Sequence, residues 1–275
     1  MFPHSFPRIA ASAFALCASL SAIAQMGEEV PFITTPDHVT LEMLRIAHVG
    51  AQDHVIDLGS GDGRIVITAA RQFGASGLGV EIVPELVDKS RDNARRAGVA
   101  ARTEFRAQDI FDTDLSPATV ITMYLLPEVN LQLRPRLLRM APGTRLVSHD
   151  WDMGDWQPDR TVKVDVPDKK VGLEKFSRIH LWRVPAPVEG LWCAGATALR
   201  FEQRFQQYSA RLEVPGAARQ SWQGRIAGAQ LPAPVGGPLR PALTWRDGGL
   251  DVRAGAAGLA TGTRFERPSQ GQCAA

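Results

Sequence analysis

Three carboxylates and a run of glycines are the residues whose types and spacing could do chemistry. The segment Asp57-Leu58-Gly59-Ser60-Gly61-Asp62-Gly63-Arg64 follows a short apolar run and precedes a helical pattern. Glycines admit positive φ and let the backbone approach a ligand closely. A helix N-terminus adds unpaired N–H groups. The spacing is G-x-G-x-G at Gly59, Gly61 and Gly63, whereas a dinucleotide site needs G-x-G-x-x-G, and position 64 is arginine. Glu81 closes a second apolar run, where a carboxylate can accept both ribose hydroxyls. Asp109-Ile110 follows a third: the acid could accept from an adenine amino group, and Ile110 could pack on the ring. All three acids fall at the C-terminal ends of expected strands, where ligands bind open α/β sheets.

A ligand bearing a sulfonium, an ammonium and a carboxylate, but no pyrophosphate, suits this pattern. Asp57 would face its cationic end. The sequence therefore predicts an S-adenosylmethionine (SAM) site made of Asp57, Gly59, Ser60, Gly61, Gly63, Glu81, Asp109 and Ile110. Asp62 is either part of it or a solvated turn residue. On the acceptor side, Tyr124-Leu125-Leu126-Pro127 closes the fourth expected strand. His149 and Asp150 close the fifth and are either proton acceptors or satisfied structural residues. Trp151 and Trp156 could line an acceptor channel, with packing as the ordinary role for tryptophan.

The elements that must position these residues follow from periodicity. Helical spacing of Val39, Leu41, Leu44 and Ile46 predicts a helix over 35–49. Strands are expected at His54–Leu58, Gly77–Ile82, Thr103–Ala107, Thr119–Tyr124 and Thr144–His149. Helices are expected at Arg64–Phe73, Pro84–Ala97 and Leu131–Met140, the last interrupted by Pro135. Thr161–Val166 and Phe176–Val184 would form a late antiparallel pair. Alternating strands and helices imply a Rossmann-like α/β sheet covered on both faces. Past Pro187 the period becomes two, and Asp247-Gly248-Gly249 reads as a hairpin turn. The expected organisation is a SAM-dependent domain over 31–187, a small antiparallel β module over 188–267 and a flexible tail over 268–275.

The chain has 275 residues, a net charge of +2 and 44% hydrophobic residues, with both charge signs dispersed. This is globular composition, with no basic block of the kind that marks nucleic-acid binding. Ile9–Ala24 is apolar and uncharged, and Ala22-Ile23-Ala24 supplies small residues for cleavage. Residues 1–24 therefore read as a signal peptide, which would export the chain to a periplasm or medium without a stable membrane span after cleavage. An uncleaved membrane anchor and a cytosolic segment are the competing readings. Cys193 and Cys273 either pair in an oxidising compartment or are unrelated thiols. No cysteine–histidine spacing suits a metal.

Together the runs Pro31–Pro36, Asp57–Arg64, Gly79-Val80-Glu81, Asp88–Ala94, Tyr124–Pro127, Ser148-His149 and Met153–Trp156 resemble one group. These are the seven-β-strand protein-lysine methyltransferases related to the enzyme that methylates the mitochondrial ATP-synthase c ring and to the archaeal broad-specificity enzyme. The resemblance spans about 31–185. It implies a class I methyltransferase that binds SAM and acts on a protein lysine, with Tyr124, Leu125 and Pro127 at the acceptor mouth. It also implies that Pro31–Pro36 helps to cover the cofactor. An unperturbed lysine has a pKa of about 10.4, and apolar walls at the mouth would lower it. A small-molecule or lipid acceptor, and a non-catalytic exported binding protein, are the alternatives.

Overall fold

In the computed structural model, which describes residues 33–170, 172–233, 240–256 and 258–274, the apolar runs become a sheet. The strands are β1 (His54–Leu58), β2 (Ser76–Glu81), β3 (Thr103–Ala107), β4 (Val120–Met123), β5 (Arg145–His149), β6 (Arg160–Asp165) and β7 (Phe176–Arg183). Their order across the sheet is β3-β2-β1-β4-β5-β7-β6. The first five run parallel, and β7 is antiparallel to both β5 and β6. Four helices cover it: α1 (Asp37–Ile46), α2 (Arg64–Phe73), α3 (Pro84–Arg96) and α4 (Pro127–Leu137). This is the Rossmann-like class I arrangement that the sequence predicts. The expected signal peptide, and the Pro31-Phe32 start of the cover, lie outside the described residues.

Each central strand feeds two cores, as a period of two requires. Val55, Val120, Val147 and Ile179 face α1 and α2, against Val39, Met43, Leu44, Ile65 and Ala69. Ile56, Leu58, Ile121, Met123 and Leu146 face Leu133 and Leu137 of α4 on the other side. Burying each such side chain contributes roughly 1.5–3 kcal/mol. Asp57 and Thr122 are buried polar residues within this apolar frame, as are Ser148 and His149 of β5.

The helix ends follow their punctuation. Pro84 opens α3, and Arg95 and Arg96 occupy its last turn, where cations oppose the macrodipole. Helix α4 begins four residues earlier than the periodicity predicts, because Pro127 takes the first-turn position with Glu128 beside it. Pro135 sits inside α4 instead of interrupting it.

The antiparallel strands beyond Pro187 are β8 (Gly190–Ala194), β9 (Thr197–Arg204), β10 (Gln207–Glu213), β11 (Gln220–Arg225), β12 (Gln230–Leu231), β13 (Ala242–Arg246), β14 (Gly249–Ala254) and β15 (Arg264–Phe265). They form two four-stranded sheets, β11-β10-β9-β8 and β12-β13-β14-β15. Both sheets close on one core containing Trp192, Phe201, Leu212, Leu231, Leu250 and Phe265. The expected hairpin turn has Asp247 at φ 50 and Gly248 at φ 73, the left-handed pair that joins strands tightly. Cys193 and Cys273 are disulfide-bonded. Strand β9 stops at Arg204: Phe205 takes φ 52 and stacks on Trp156, with ring centroids 6.0 Å apart. Arg225 pairs with Asp159 at 2.6 Å, and the Gln206 amide donates to the Gln157 carbonyl at 2.7 Å. The sheets are thus tied to the 155–159 segment, and Thr34–Ala275 forms one compact unit.

Candidate active site

The glycine turn leaves the end of β1 and folds back over β2. Gly59 and Ser60 both donate backbone N–H groups to the Val80 carbonyl at 2.9 Å. Gly63 has φ 79 and opens α2 without any side-chain cap. A Cβ there would also lie 2.7 Å from the Phe105 ring, so the position excludes other residues on two grounds. A Cβ on Gly59 would sit 3.0 Å from Leu125 Cδ2, which places Leu125 directly against the turn.

Glu81, at the end of β2, is buried and held by backbone. Its Oε2 accepts from Gly61 N at 2.9 Å, and its Oε1 from Ile82 N at 2.9 Å and Val83 N at 3.1 Å. A carboxylate has about four acceptor sites. Three being taken, Glu81 has one left for a ribose hydroxyl instead of the two expected. Its other task is to tie the glycine turn to β2. Beyond it, Ile82 is 68% exposed and offers an apolar face beside that carboxylate.

Asp57 lies beneath the turn, with Oδ1 accepting from Thr122 Oγ1 at 2.6 Å. Burial pushes its carboxyl up to about 7, and the nearby Glu81 and Asp62 carboxylates push the same way against the Thr122 bond. Three acids converging on one floor suit a cationic ligand. Asp62 is no solvated turn residue. It is buried, and Arg64 grips it with both Nε and Nη2, at 2.9 and 2.7 Å. Burial raises the Asp62 carboxyl, but the Arg64 bonds and charge outweigh that and hold it below the usual range. Arg64 also donates to the Thr35 carbonyl at 2.8 Å, so the stretch entering α1 is tied to the turn.

Asp109 is exposed after β3, and its Oδ1 caps the turn by accepting from Phe111 N at 2.8 Å. Ile110 is half-buried against the α4-side core, while Phe111 is exposed beside it. Ser60 Oγ is buried without a partner among the described residues.

On the other side of β1 the groups are aromatic and titratable. Tyr124 follows β4, and its ring lies 3.9 Å from the His149 ring at the end of β5. Its hydroxyl is 3.5 Å from Asp150 Oδ2. Burial, with the Asp150 charge and bond, pushes the phenol up to about 12. His149 is buried, with Nδ1 at 3.2 Å from Thr35 Oγ1 and Nε2 at 2.7 Å from Ser177 Oγ. Burial keeps its pKa below the ordinary value. Neutral and occupied on both nitrogens, His149 is a structural residue. Pro127 starts α4, and Leu126 projects outward, exposed. Trp156 is buried in the core and cannot line a channel, whereas Trp151 is 40% exposed.

Lys169, between β6 and β7, is the residue here that sequence reasoning missed. Its ammonium lies 2.8 Å from Asp150 Oδ2 and donates to the Phe176 carbonyl at 2.7 Å. Nothing local in the sequence marks it. Thr122 did carry a signal, as the one polar residue in the run Val120-Ile121-Thr122-Met123.

The structure therefore brings Asp57, the glycine turn and Glu81 onto one part of the sheet edge. Leu125 stands next to them, and Tyr124 precedes it, against His149 and Asp150. The residues fit SAM: a glycine backbone that allows close approach, an acid, Asp57, buried beside two further carboxylates, and an apolar face at Ile82.

Comparison with known proteins agrees. A family model of the ANTKMT methyltransferase domain matches residues 57–160. A protein-lysine N-methyltransferase of Saccharolobus islandicus is 44% identical over 138 residues, 50% of this chain and 86% of its own length. The mouse adenine nucleotide translocase lysine N-methyltransferase is 33% identical over 136 residues, 49% of this chain and 58% of its own, so the chain spans little more than half of that relative. A crystal structure described as an RNA methyltransferase from Salinibacter ruber, in complex with S-adenosyl-L-homocysteine, is 50% identical. It covers 57% of this chain and 96% of its own, with a TM-score of 0.52. The chain belongs to the family of class I SAM-dependent methyltransferases that includes the Saccharolobus islandicus enzyme.

Proposed function

We propose that this methyltransferase transfers methyl groups to the ε-amine of protein lysine. The observation that carries the reading is Asp150, a carboxylate at the Tyr124 mouth. That carboxylate already holds a primary ammonium, the Lys169 Nζ at 2.8 Å, so the position accepts the group that a lysine acceptor presents. The lysine methyltransferases among the relatives support the same acceptor.

SAM supplies an electrophilic methyl on a sulfonium whose sulfide is already a good leaving group. The chain's own residues would bind, orient and dry the site. Asp57, Gly59, Ser60, Gly61 and Gly63 would hold the methionine end, Glu81 and Ile82 the ribose and its neighbour, and Asp109 and Ile110 the adenine. Tyr124, Leu125 and Leu126 would wall the acceptor amine, which favours its neutral form by desolvation. The Tyr124 phenol stays protonated and acts as a donor or wall. Neither it nor His149 is placed to act as a strong base, so positioning would supply most of the acceleration.

Labelled SAM incubated with extract tests this. Label recovered as methyl-lysine in protein bands is expected. Label in the RNA fraction would support the acceptor named for the Salinibacter ruber neighbour and overturn the lysine reading, and label only in the organic phase would point to a lipid.

We further propose export. The apolar, uncharged Ile9–Ala24 run and the Cys193–Cys273 disulfide both suit an oxidising compartment. A reporter fused after residue 30 should be found outside the cytoplasm. Retention in the cytoplasm would refute export.

A further inference from the structure

Asp150 is built as a seat. It directly follows β5 with φ 63, an uncommon conformation for a residue with a side chain. Such backbone settings persist where surrounding structure enforces them, and they cluster at functional sites. Two hydrogen bonds to Arg178 enforce this one: Asp150 N donates to the Arg178 carbonyl at 2.7 Å, and Arg178 N donates to the Asp150 side-chain Oδ1 at 3.0 Å. That leaves Oδ2 facing Tyr124 and His149, 3.5 Å from both Tyr124 OH and His149 Nε2.

The group on Oδ2 is the ammonium of Lys169, which comes from a surface connection yet has only 11% of its side chain exposed. A lysine ammonium is strongly hydrated, and its stem loses much rotamer freedom when fixed. The pairing does not fill a hydrophobic core. It places a primary ammonium beside Tyr124, at the end of the strand next to the one that carries the glycine turn.

We propose that Asp150 Oδ2, with Tyr124 OH, is the binding site for the acceptor's primary ammonium, and that Lys169 is an internal occupant that an incoming lysine displaces. The inference rests on the lysine-acceptor reading and adds its recognition group. Trp151, adjacent and exposed, would flank the incoming chain. Displacement also frees the Phe176 carbonyl, which offers the entering ammonium a second acceptor.

The test uses the full chain with n-butylamine as the probe and needs no turnover. Lys169→Ala empties the seat, so millimolar n-butylammonium should raise the melting temperature of this variant and leave the wild type unchanged. Adding Asp150→Asn to Lys169→Ala should abolish that shift. With a lysine peptide as acceptor, Lys169→Gln should lower KM several-fold, and Asp150→Asn should raise it at least tenfold. Affinity for S-adenosylhomocysteine should stay within twofold of wild type in both, which also shows that the variants fold. A purely structural Lys169–Asp150 pair predicts the opposite: no amine-dependent shift in Lys169→Ala and a KM that rises or stays level in Lys169→Gln. Either result overturns the proposal. Absence of methyl-lysine with the wild type would overturn the lysine reading instead, and the butylamine experiment would still decide the seat.

Discussion

The two halves of the sheet edge are assembled in different ways. From β1 to β3, the carboxylates at the strand ends are satisfied mainly by backbone N–H groups: Glu81 is held by Gly61, Ile82 and Val83, and Asp109 by Phe111. From β4 to β7, the groups that meet come from far apart. Thr35, Tyr124, His149, Asp150, Lys169 and Ser177 converge on one spot. The first half can be rigid because its ligand is constant. The second is held by side chains from several elements, and on the proposed reading one of them, Lys169, gives way to the acceptor.

The largest effect should come from the backbone-held half. Glu81→Ala strips the acceptor from three N–H groups as well as from the ribose, and SAM affinity should fall about 100-fold, close to 3 kcal/mol. Calorimetric titration reads this directly. Unchanged affinity would remove Glu81 from the cofactor half.

Asp57 gives the next effect, and it depends on pH. Its folded pKa of about 7 lies above its unfolded value, so the protonated carboxyl favours the folded apo protein. That contribution is complete below roughly pH 4 and is lost as pH rises through about 7. A cationic ligand favours the ionised form, so SAM affinity should climb by up to about tenfold per pH unit between 6 and 7, then level off. Asp57→Asn should flatten both profiles, bind SAM about tenfold more weakly at pH 8, and melt higher than wild-type apo protein at that pH. A pH-independent affinity in the wild type would place the sulfonium away from Asp57.

Arg64 joins the halves through Asp62 and the Thr35 carbonyl. Lysine cannot reproduce that fork. Arg64→Lys should raise both the SAM dissociation constant and the KM for a lysine peptide by about threefold. A change confined to SAM would show that the Thr35 link does not couple the halves. The smallest effect should lie outside both. Arg204, whose pair with Asp155 is largely exposed, should leave the urea-denaturation midpoint and the kinetics indistinguishable from wild type when changed to Ala.

The same contrast explains what was legible in the sequence. Strands β1 and β3 and helix α2 follow from local periodicity and glycine punctuation, as do the acids at the strand ends. The antiparallel β7 and the later sheets follow from a period of two and turn residues. The start of α4 escapes the periodicity because Pro127 outweighs a weak apolar pattern. Asp62 is ambiguous in the sequence because its partner, two residues on, is an arginine that could equally face solvent. Lys169 could not be read at all, since only the β6–β7 hairpin carries it to Asp150. The role of Trp156 depends on Phe205 and Trp182, which reach it only through tertiary packing.

The most direct test of the two-part edge is a crystal structure with S-adenosylhomocysteine. The account predicts a ribose hydroxyl hydrogen-bonded to Glu81, the adenine beside Ile82 and Asp109, and the sulfur in the gap between the glycine turn and Tyr124. A ligand bound elsewhere, or one whose sulfur points away from Tyr124, would contradict it.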